Sequence, residues 1–361
     1  MKAKETLSFI SSVCWYLRLS QAKTLSQLAI AAMQLTRASL AQLGRNLSQQ
    51  TGIATKHCIK RVDRFIGNHR VEPIEAMRGL VEWLARPRNK LLVSMDWVDI
   101  RNLKCLVLAA RLQGRAIPLL WAVYRYEDFY RSQNSIEYGL LKAFRTMVPE
   151  SVAVVVLADR GFGRTEMARE CQKLQFGYVI RIEPKVYIKG HGFAGRLTDF
   201  AIRPGHSCIL HNVLYRKCKP IRQHVSVVWQ RGQLEPWYLM TNLDKLPAGK
   251  LTKVFGRRMT IEQYFRDLKS KRNGFALRLT MIKDSDRLGR FLLILAVAYI
   301  LLVAIGLHAS KAFRPSQWCS NNRVGQCSFF TIGQAMLHRR MSALGSLLRG
   351  LRKEILLQNW G

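Results

Sequence analysis

Acidic residues are scarce in this 361-residue chain: Asp and Glu total 23 against 58 Lys and Arg, a formal net charge of +35. So one-sided a balance costs self-repulsion and calls for a polyanionic partner. Nucleic acid fits best, because each phosphate neutralised by Lys or Arg releases counterions; an anionic membrane surface is the rival. Cysteine pairs are lacking as well. Cys14, Cys58, Cys105, Cys171, Cys208, Cys218, Cys319 and Cys327 are scattered, with no CxxC among them, which excludes a disulfide framework and reads as reduced thiols. The N-terminal stretch has no clean signal-peptide core or cleavage site, so a cytoplasmic location is expected. There is no P-loop, hence no expectation of ATP, and no internal repeat or low-complexity tract. His206-x-Cys208-x2-His211 has donors suited to zinc but no second ligand pair, and reads as scattered His and Cys on strands.

Long apolar runs are limited to Phe291–Leu307, 17 residues without a charge. That length is at the bottom of the spanning range, and Arg287 and Arg290 precede it. The polar, strand-rich sequence before it is hard to reconcile with a single span. A helix buried on all sides has the same pattern, and no membrane partner is expected. Hydrophobic residues make up 48% of the chain, enough for a large core.

What is there falls into four stretches. Residues 1–88 read as a helical, basic, DNA-binding domain. Leu40, Leu43 and Leu47 recur at helical spacing, Thr51-Gly52 breaks the pattern, and TKHCIKRVDRFIG resumes it with Ile59, Val62 and Ile66 on one face. Lys56, Lys60, Arg61 and Arg64 decorate the remainder, as in a helix-turn-helix DNA reader, although any small helical bundle has the same pattern. From Lys90 the apolar runs KLLVSMDWVDI, KCLVLAARL and RAIPLLWAVY read as a strand meander. Helix over 134–147, strand in SVAVVVLADRGFG, helix over 165–174 and strand in GYVIRI complete an α/β pattern around one sheet. Residues 183–250 are rich in short strands punctuated by Gly205, Pro220, Gly232 and Pro236. They read as a β-rich insertion outside that layer. A helix is expected over 252–271, then the apolar helix, and after a loop a basic helix over 332–352. Residues 89–182 and 251–312 form the expected core, and 313–361 a C-terminal helical region.

Three acids stand at ends of core elements. Asp96 follows Ser94-Met95, with Asp99 as a competitor. Asp159 ends the wholly apolar run VAVVVLA, where an acid is costly to bury unless it is paired or holds a metal. Glu262 lies in RRMTIEQYFRDLK, dense in Arg and Lys. Clustered carboxylates select Mg²⁺ or Mn²⁺ over zinc, and two such ions can drive phosphodiester displacement. Taken singly, each acid also reads as a local ion-pair partner.

Together these motifs resemble the insertion-sequence DDE transposases of the hairpin-forming, cut-and-paste type (the IS-four superfamily, IS-ten-like group). LLVSMDWVDIR and VVLADRGF resemble the two aspartate strands. Phe255-x2-Arg258-x3-Glu262-x6-Lys269 resembles the family's Tyr-x2-Arg-x3-Glu-x6-Lys signature, with phenylalanine in place of tyrosine. LAQLGRNL and TKHCIKRVDRFIGNH resemble its N-terminal region, so the likeness spans roughly residues 35 to 285. It implies an RNase H-like catalytic core, with Asp96, Asp159 and Glu262 holding two Mg²⁺ (or Mn²⁺) and Arg258 and Lys269 contacting backbone phosphate. Phe255, which cannot hydrogen-bond a phosphate, occupies the third DNA-contacting position of that signature. Trp237 opens WYLMTNL, resembling the strand whose tryptophan stacks on a flipped base; a core tryptophan is the alternative. The implied partners are double-stranded DNA, as element ends and target, and a second copy of the chain. A metal-dependent nuclease and an inactive DNA-binding relic stay open as alternatives.

Overall fold

The computed structural model describes residues 3–86, 90–129, 133–320, 325–339 and 344–356. Five helices come first: α1 (Ala3–Val13), α2 (Leu19–Ala32), α3 (Leu40–Thr51), α4 (Thr55–Gly67) and α5 (Pro73–Ala85). The Ser39 hydroxyl caps α3 by accepting from the Gln42 amide. Gly52 ends it at φ 71°, the left-handed conformation glycine adopts freely. α3 and α4 then cross so closely that a Cβ on Gly44 would lie 2.4 Å from Ile59 Cγ1.

The sheet begins as an antiparallel meander, β1 (Lys90–Ile100), β2 (Leu103–Leu112) and β3 (Arg115–Arg125). Helices α6 (Tyr126–Phe129) and α7 (Gln133–Arg145) lead to β4 (Ala153–Ala158), and α8 (Thr165–Lys173) leads to β5 (Gly177–Arg181). Here β4 pairs parallel with both β1 and β5. Runs buried on both faces suit such central parallel strands. β6 (Tyr187–Gly190), β7 (Phe193–Arg196), β8 (Ser207–Tyr215), β9 (Ile221–Val228) and β10 (Trp237–Thr241) follow.

These last five strands correct the expectation of a separate layer. β10 pairs antiparallel with β5, and all ten strands form one sheet in the order β3-β2-β1-β4-β5-β10-β9-β8-β6-β7. Without β10, the apolar β5 would be an edge with open backbone groups; Tyr238, Leu239 and Met240 continue it into the core instead.

The helix expected over 252–271 is two: α9 (Ala248–Gly256) and α10 (Met259–Lys269). They bury different surfaces, which is why the chain turns between them. Leu251, Val254 and Phe255 of α9 join Leu92, Val155, Leu157, Val179 and Leu239 in one apolar cluster on a sheet face. Ile261, Tyr264, Phe265 and Leu268 of α10 enter the main core. The helix expected over 332–352 is likewise divided into α12 (Phe329–Ala335) and α13 (Leu344–Leu356), with 340–343 outside the described residues.

Between α10 and α12 runs α11 (Ser285–Ala312), in which every residue from Leu288 to Leu307 is buried. It packs on α2, α4, α12, α13 and β3. Trp121 Nε1 donates to Gly289 O at 3.0 Å and Arg290 Nε to Ile66 O at 2.5 Å. The apolar run is thus the centre of the core, and one continuous apolar cluster joins the N-terminal helices, α11 and the sheet.

Candidate active site

Parallel pairing of β1 with β4 puts Ser94 opposite Leu157. Two residues further along the chain from each are Asp96 and Asp159, level with one another where the parallel pairing ends. Asp159 lies just past the end of β4. Asp96 is inside β1, which runs on to Ile100 paired with β2, so the structure corrects its expected place at a strand end. Alternation sends Leu92, Ser94 and Asp96 to one face of β1, and Val155, Leu157 and Asp159 to the same face of β4. That is the face α9 covers. Where α9 stops, Arg258 retains helical angles (φ −57°, ψ −33°), and Glu262 stands in the first turn of α10. Burial of α9 therefore delivers the third acid to the other two.

All three meet a single guanidinium. Arg258 Nη1 donates to Glu262 Oε1 at 2.7 Å, and Nη2 donates to Asp159 Oδ2 at 2.9 Å. Asp96 Oδ2 lies 3.5 Å from Nη2. The Arg258 side chain is 5% exposed, whereas the acids retain 21% (Asp96), 40% (Asp159) and 41% (Glu262). Burial pushes the Asp96 carboxyl up to about 6; Arg258 and the Trp97 amide oppose the rise, and Asp159 and Glu262 add to it. Within ion-pair distance one cation faces three carboxylates; Arg181 acts on Asp159 and Lys269 on Asp96 from farther away.

Among the described residues, no group of three or more His, Cys, Asp or Glu side chains is gathered closely enough to hold a metal ion; between these three acids lies the Arg258 guanidinium. Their chemistry nonetheless fits a hard divalent cation. The donors are all carboxylate oxygens on elements of the core, and they surround a point already taken by positive charge. Arg258 stands in for that charge. Its expected phosphate contact is not what this arrangement displays, since its Nη atoms serve the acids.

The other expected residues fall as follows. Asp99 is set aside as first acid: its side chain is 69% exposed and pairs with Lys104 at 3.3 Å. Lys269 ends α10 half-buried over the Phe265 ring, and burial together with Arg278 lowers its pKa. Trp237 opens β10 at the same end of the sheet as Asp159. Asp159 is level with Arg181, since Ala158 pairs with Ile180, and Arg181 pairs with Leu239. Two strand spacings, about 10 Å, separate β4 from β10. The Arg181 guanidinium lies 5.3 Å over the Trp237 ring. Arg181 and Arg160 share Glu235 Oε1 at 3.2 and 2.5 Å. Neither arginine was singled out from sequence, where each is one basic residue among many.

Phe255 corrects its expected place at DNA. It is 4% exposed and meets Trp237 edge-on, ring centroids 5.5 Å apart. Its surroundings are apolar, so a tyrosine hydroxyl would be costly there unless hydrogen-bonded. Lys56, Lys60 and Arg64 are exposed on α4, and Arg61 donates to Gln27 Oε1 at 3.0 Å. A separate cavity of about 370 Å³ beside α2 and α4 is lined by Ser20, Gln21, Thr24, His57, Lys60, Arg61, Arg64, Phe65 and Asn68. The fold does not place these residues among the acids.

Glu137 of α7 is a further residue the sequence reading passed over. It is fully buried beside the site and accepts from Trp97 Nε1. The signal was present: Glu137 interrupts the apolar stripe of Ile136, Leu140, Leu141 and Phe144.

Comparison with known proteins gives one family. Residues 131–301 match the family described as Transposase DDE domain. The matched span contains Asp159, Arg258, Glu262 and Lys269; Asp96 lies before it and is joined to the group by the sheet. The match supports a DDE transposase and DDE-type chemistry, for which divalent metals are general in the family. No curated protein matches the chain.

Proposed function

We propose that the chain is an insertion-sequence DDE transposase that excises and joins DNA, with Asp96, Asp159 and Glu262 as the metal-holding acids. The observation that carries this is the convergence of three acids, far apart in sequence, on one buried cation. The antiparallel meander followed by parallel β4 and β5, in the order β3-β2-β1-β4-β5, supports an RNase H-like core. Divalent ions, Mg²⁺ or Mn²⁺ as a pair, would activate an attacking oxygen and stabilise a leaving one in phosphodiester displacement.

The chain's own residues do the remainder. Asp96 and Asp159 are set by adjacent strands and Glu262 by a helix in the core, so the acids are preorganised. Lys269, on the same helix as Glu262, holds a backbone phosphate, and Arg258 moves to phosphate when the acids acquire other positive charge. Trp237, at the same sheet end, offers a ring for a base leaving the duplex. α4 is the DNA reader, using Lys56, Lys60, Arg61 and Arg64. Phe255, buried in an apolar cluster, serves by packing α9 on the sheet and so supports the placement of Arg258 and Glu262. The products follow the cut-and-paste route: a nick, a hairpin, a reopened end and a joined target. Holding two ends requires two copies of the chain on DNA, and the expected place of action is the cytoplasmic nucleoid.

The test is a labelled duplex carrying the element's own end, incubated with Mg²⁺, without metal, and with Glu262→Ala. A nick followed by a hairpin in Mg²⁺ alone, both lost in the variant, is expected, and a pre-cut 3′-hydroxyl end should give joined product. Binding without cutting in Mg²⁺ or Mn²⁺ would sink the catalytic assignment.

A further inference from the structure

On the sheet face away from Arg258, Asp96 and Asp159 are tied together by a second network. Trp97 follows Asp96, and its amide donates to Asp96 Oδ1 at 2.9 Å. Its indole, pointing the other way, donates Nε1 to Glu137 Oε1 at 3.0 Å. Gln133 Nε2 donates to the same oxygen at 2.9 Å. Glu137 Oε2 accepts from Arg164 Nη2. The other terminal nitrogen of that arginine, Nη1, donates to Gly161 O at 2.5 Å. Gly161 lies in the single-turn helix Arg160–Phe162, whose N-cap is Asp159. An unbroken chain of contacts thus runs from Asp96 through Trp97, Glu137, Arg164 and Gly161 to Asp159.

Glu137 is the joint of this chain, and it is 0% exposed. A buried ion pair is weak support for stability, because apolar residues of similar volume often do as well. What such a pair does supply is fixed geometry, the more so with the planar fork of an arginine. The far end of the turn is also held: Tyr215 OH and Arg216 Nη2 donate to Gly163 O at 2.8 and 2.9 Å. The Arg164 contact therefore acts on a turn with little freedom.

We propose that Glu137 is a positioning residue for strand cleavage, fixing the separation of Asp96 and Asp159 through Trp97 on one side and Arg164 on the other. This rests on the transposase reading for its functional consequence. Trp97→Phe breaks the β1 arm and keeps an aromatic ring. Glu137→Gln breaks the Arg164 arm and keeps an acceptor for Trp97 and Gln133. Displacement of about 1 Å at a reacting centre can cost roughly 100-fold in rate.

The experiment measures kcat and KM on end DNA for both variants and their combination, with thermal unfolding alongside, and crystallises Trp97→Phe and the wild type. Each single variant should lose 10- to 100-fold in kcat, with KM within about threefold of wild type and Tm nearly unchanged. The double variant should be no slower than Glu137→Gln, since both act on one connection. Unchanged kcat, a loss that follows Tm or KM, or losses that multiply would overturn the proposal. If Glu137→Gln does not fold, Trp97→Phe alone decides by the same criteria. If the wild type never cuts, the transposase reading fails separately, and the crystals decide. A change of about 0.5 Å or more in the Asp96–Asp159 carboxyl separation supports the strut, and an unchanged separation refutes it.

Discussion

Arg258 is the counter-charge for the acids, and the proposed function gives it a second role as a phosphate ligand. Removing it leaves three carboxylates without their shared cation. Arg258→Ala should therefore destabilise the metal-free protein at pH 7 by about 2 kcal/mol, below the range for fully buried pairs because the acids are partly exposed. Millimolar Mg²⁺ should restore much of that loss. Urea denaturation with and without Mg²⁺ measures both, and a variant indifferent to Mg²⁺ would count against these acids as metal ligands. Asp267 is a second acid whose burial matters. It accepts from Arg115 Nε at 2.7 Å and Tyr299 OH at 3.2 Å, yet burial raises its pKa from 3.8 to about 6. The fold thus favours its protonated form, and its contribution to stability, full below about pH 4, is lost as pH rises through 6. Wild type should lose up to about 3 kcal/mol relative to Asp267→Asn between pH 4 and 7. Asp96 titrates in both proteins and largely cancels from that difference. Parallel pH series of urea melts would show it; a constant difference would refute it.

Among elements, α4 carries the clearest expectation. Lys60 and Arg64 are exposed on its outer face, as phosphate contacts should be. Replacing either by Ala should weaken DNA binding regardless of sequence and lower the slope of log K against log salt by about 1. Titrations at several salt concentrations test this, and an unchanged slope would remove α4 from the interface. The elements were legible in sequence to different degrees. The apolar runs of β1 and β4 announced strands, and the acids that follow those runs announced a site. The choice of Asp96 over Asp99 rested on the motif resemblance alone, because periodicity does not tell which face of β1 meets α9. The break between α9 and α10 was equally hidden. Arg257 and Arg258 are good helix formers, and only the two different surfaces these helices bury turn the chain there. Glu137 could have been found, as a carboxylate inside an apolar stripe. Its partners could not, because Trp97 and Arg164 meet it only through the tertiary fold.

For the whole molecule, the apolar run of α11 was readable as buried or spanning, and only packing separates the two. Among the described residues it is the one helix long and apolar enough to cross a membrane, and 94% of its most apolar window is buried. Gly306 shows how tightly: a Cβ there would lie 1.7 Å from Phe329 O. Gly306→Val should reduce soluble yield and lower Tm, as overpacking costs typically 1–3 kcal/mol. The wild type should stay in the supernatant after a high-salt wash without detergent, and recovery only in detergent would contradict the core assignment.

The β-rich stretch was legible as strands, but its continuity with the sheet was not, since strand pairing partners are not written in periodicity. That continuity has a mechanical consequence. A sheet hydrogen-bonded from β1 through β4 and β5 to β10 has no joint between the two aspartates and the indole of Trp237. The protein then behaves as a rigid anvil with both features on one edge. Under the proposed function, a duplex end that is to reach both would itself kink, and the work of deformation would fall on the nucleic acid. End sequences with easily unstacked steps near the cut would then be processed faster than stiff ones, even where no side chain reads those bases.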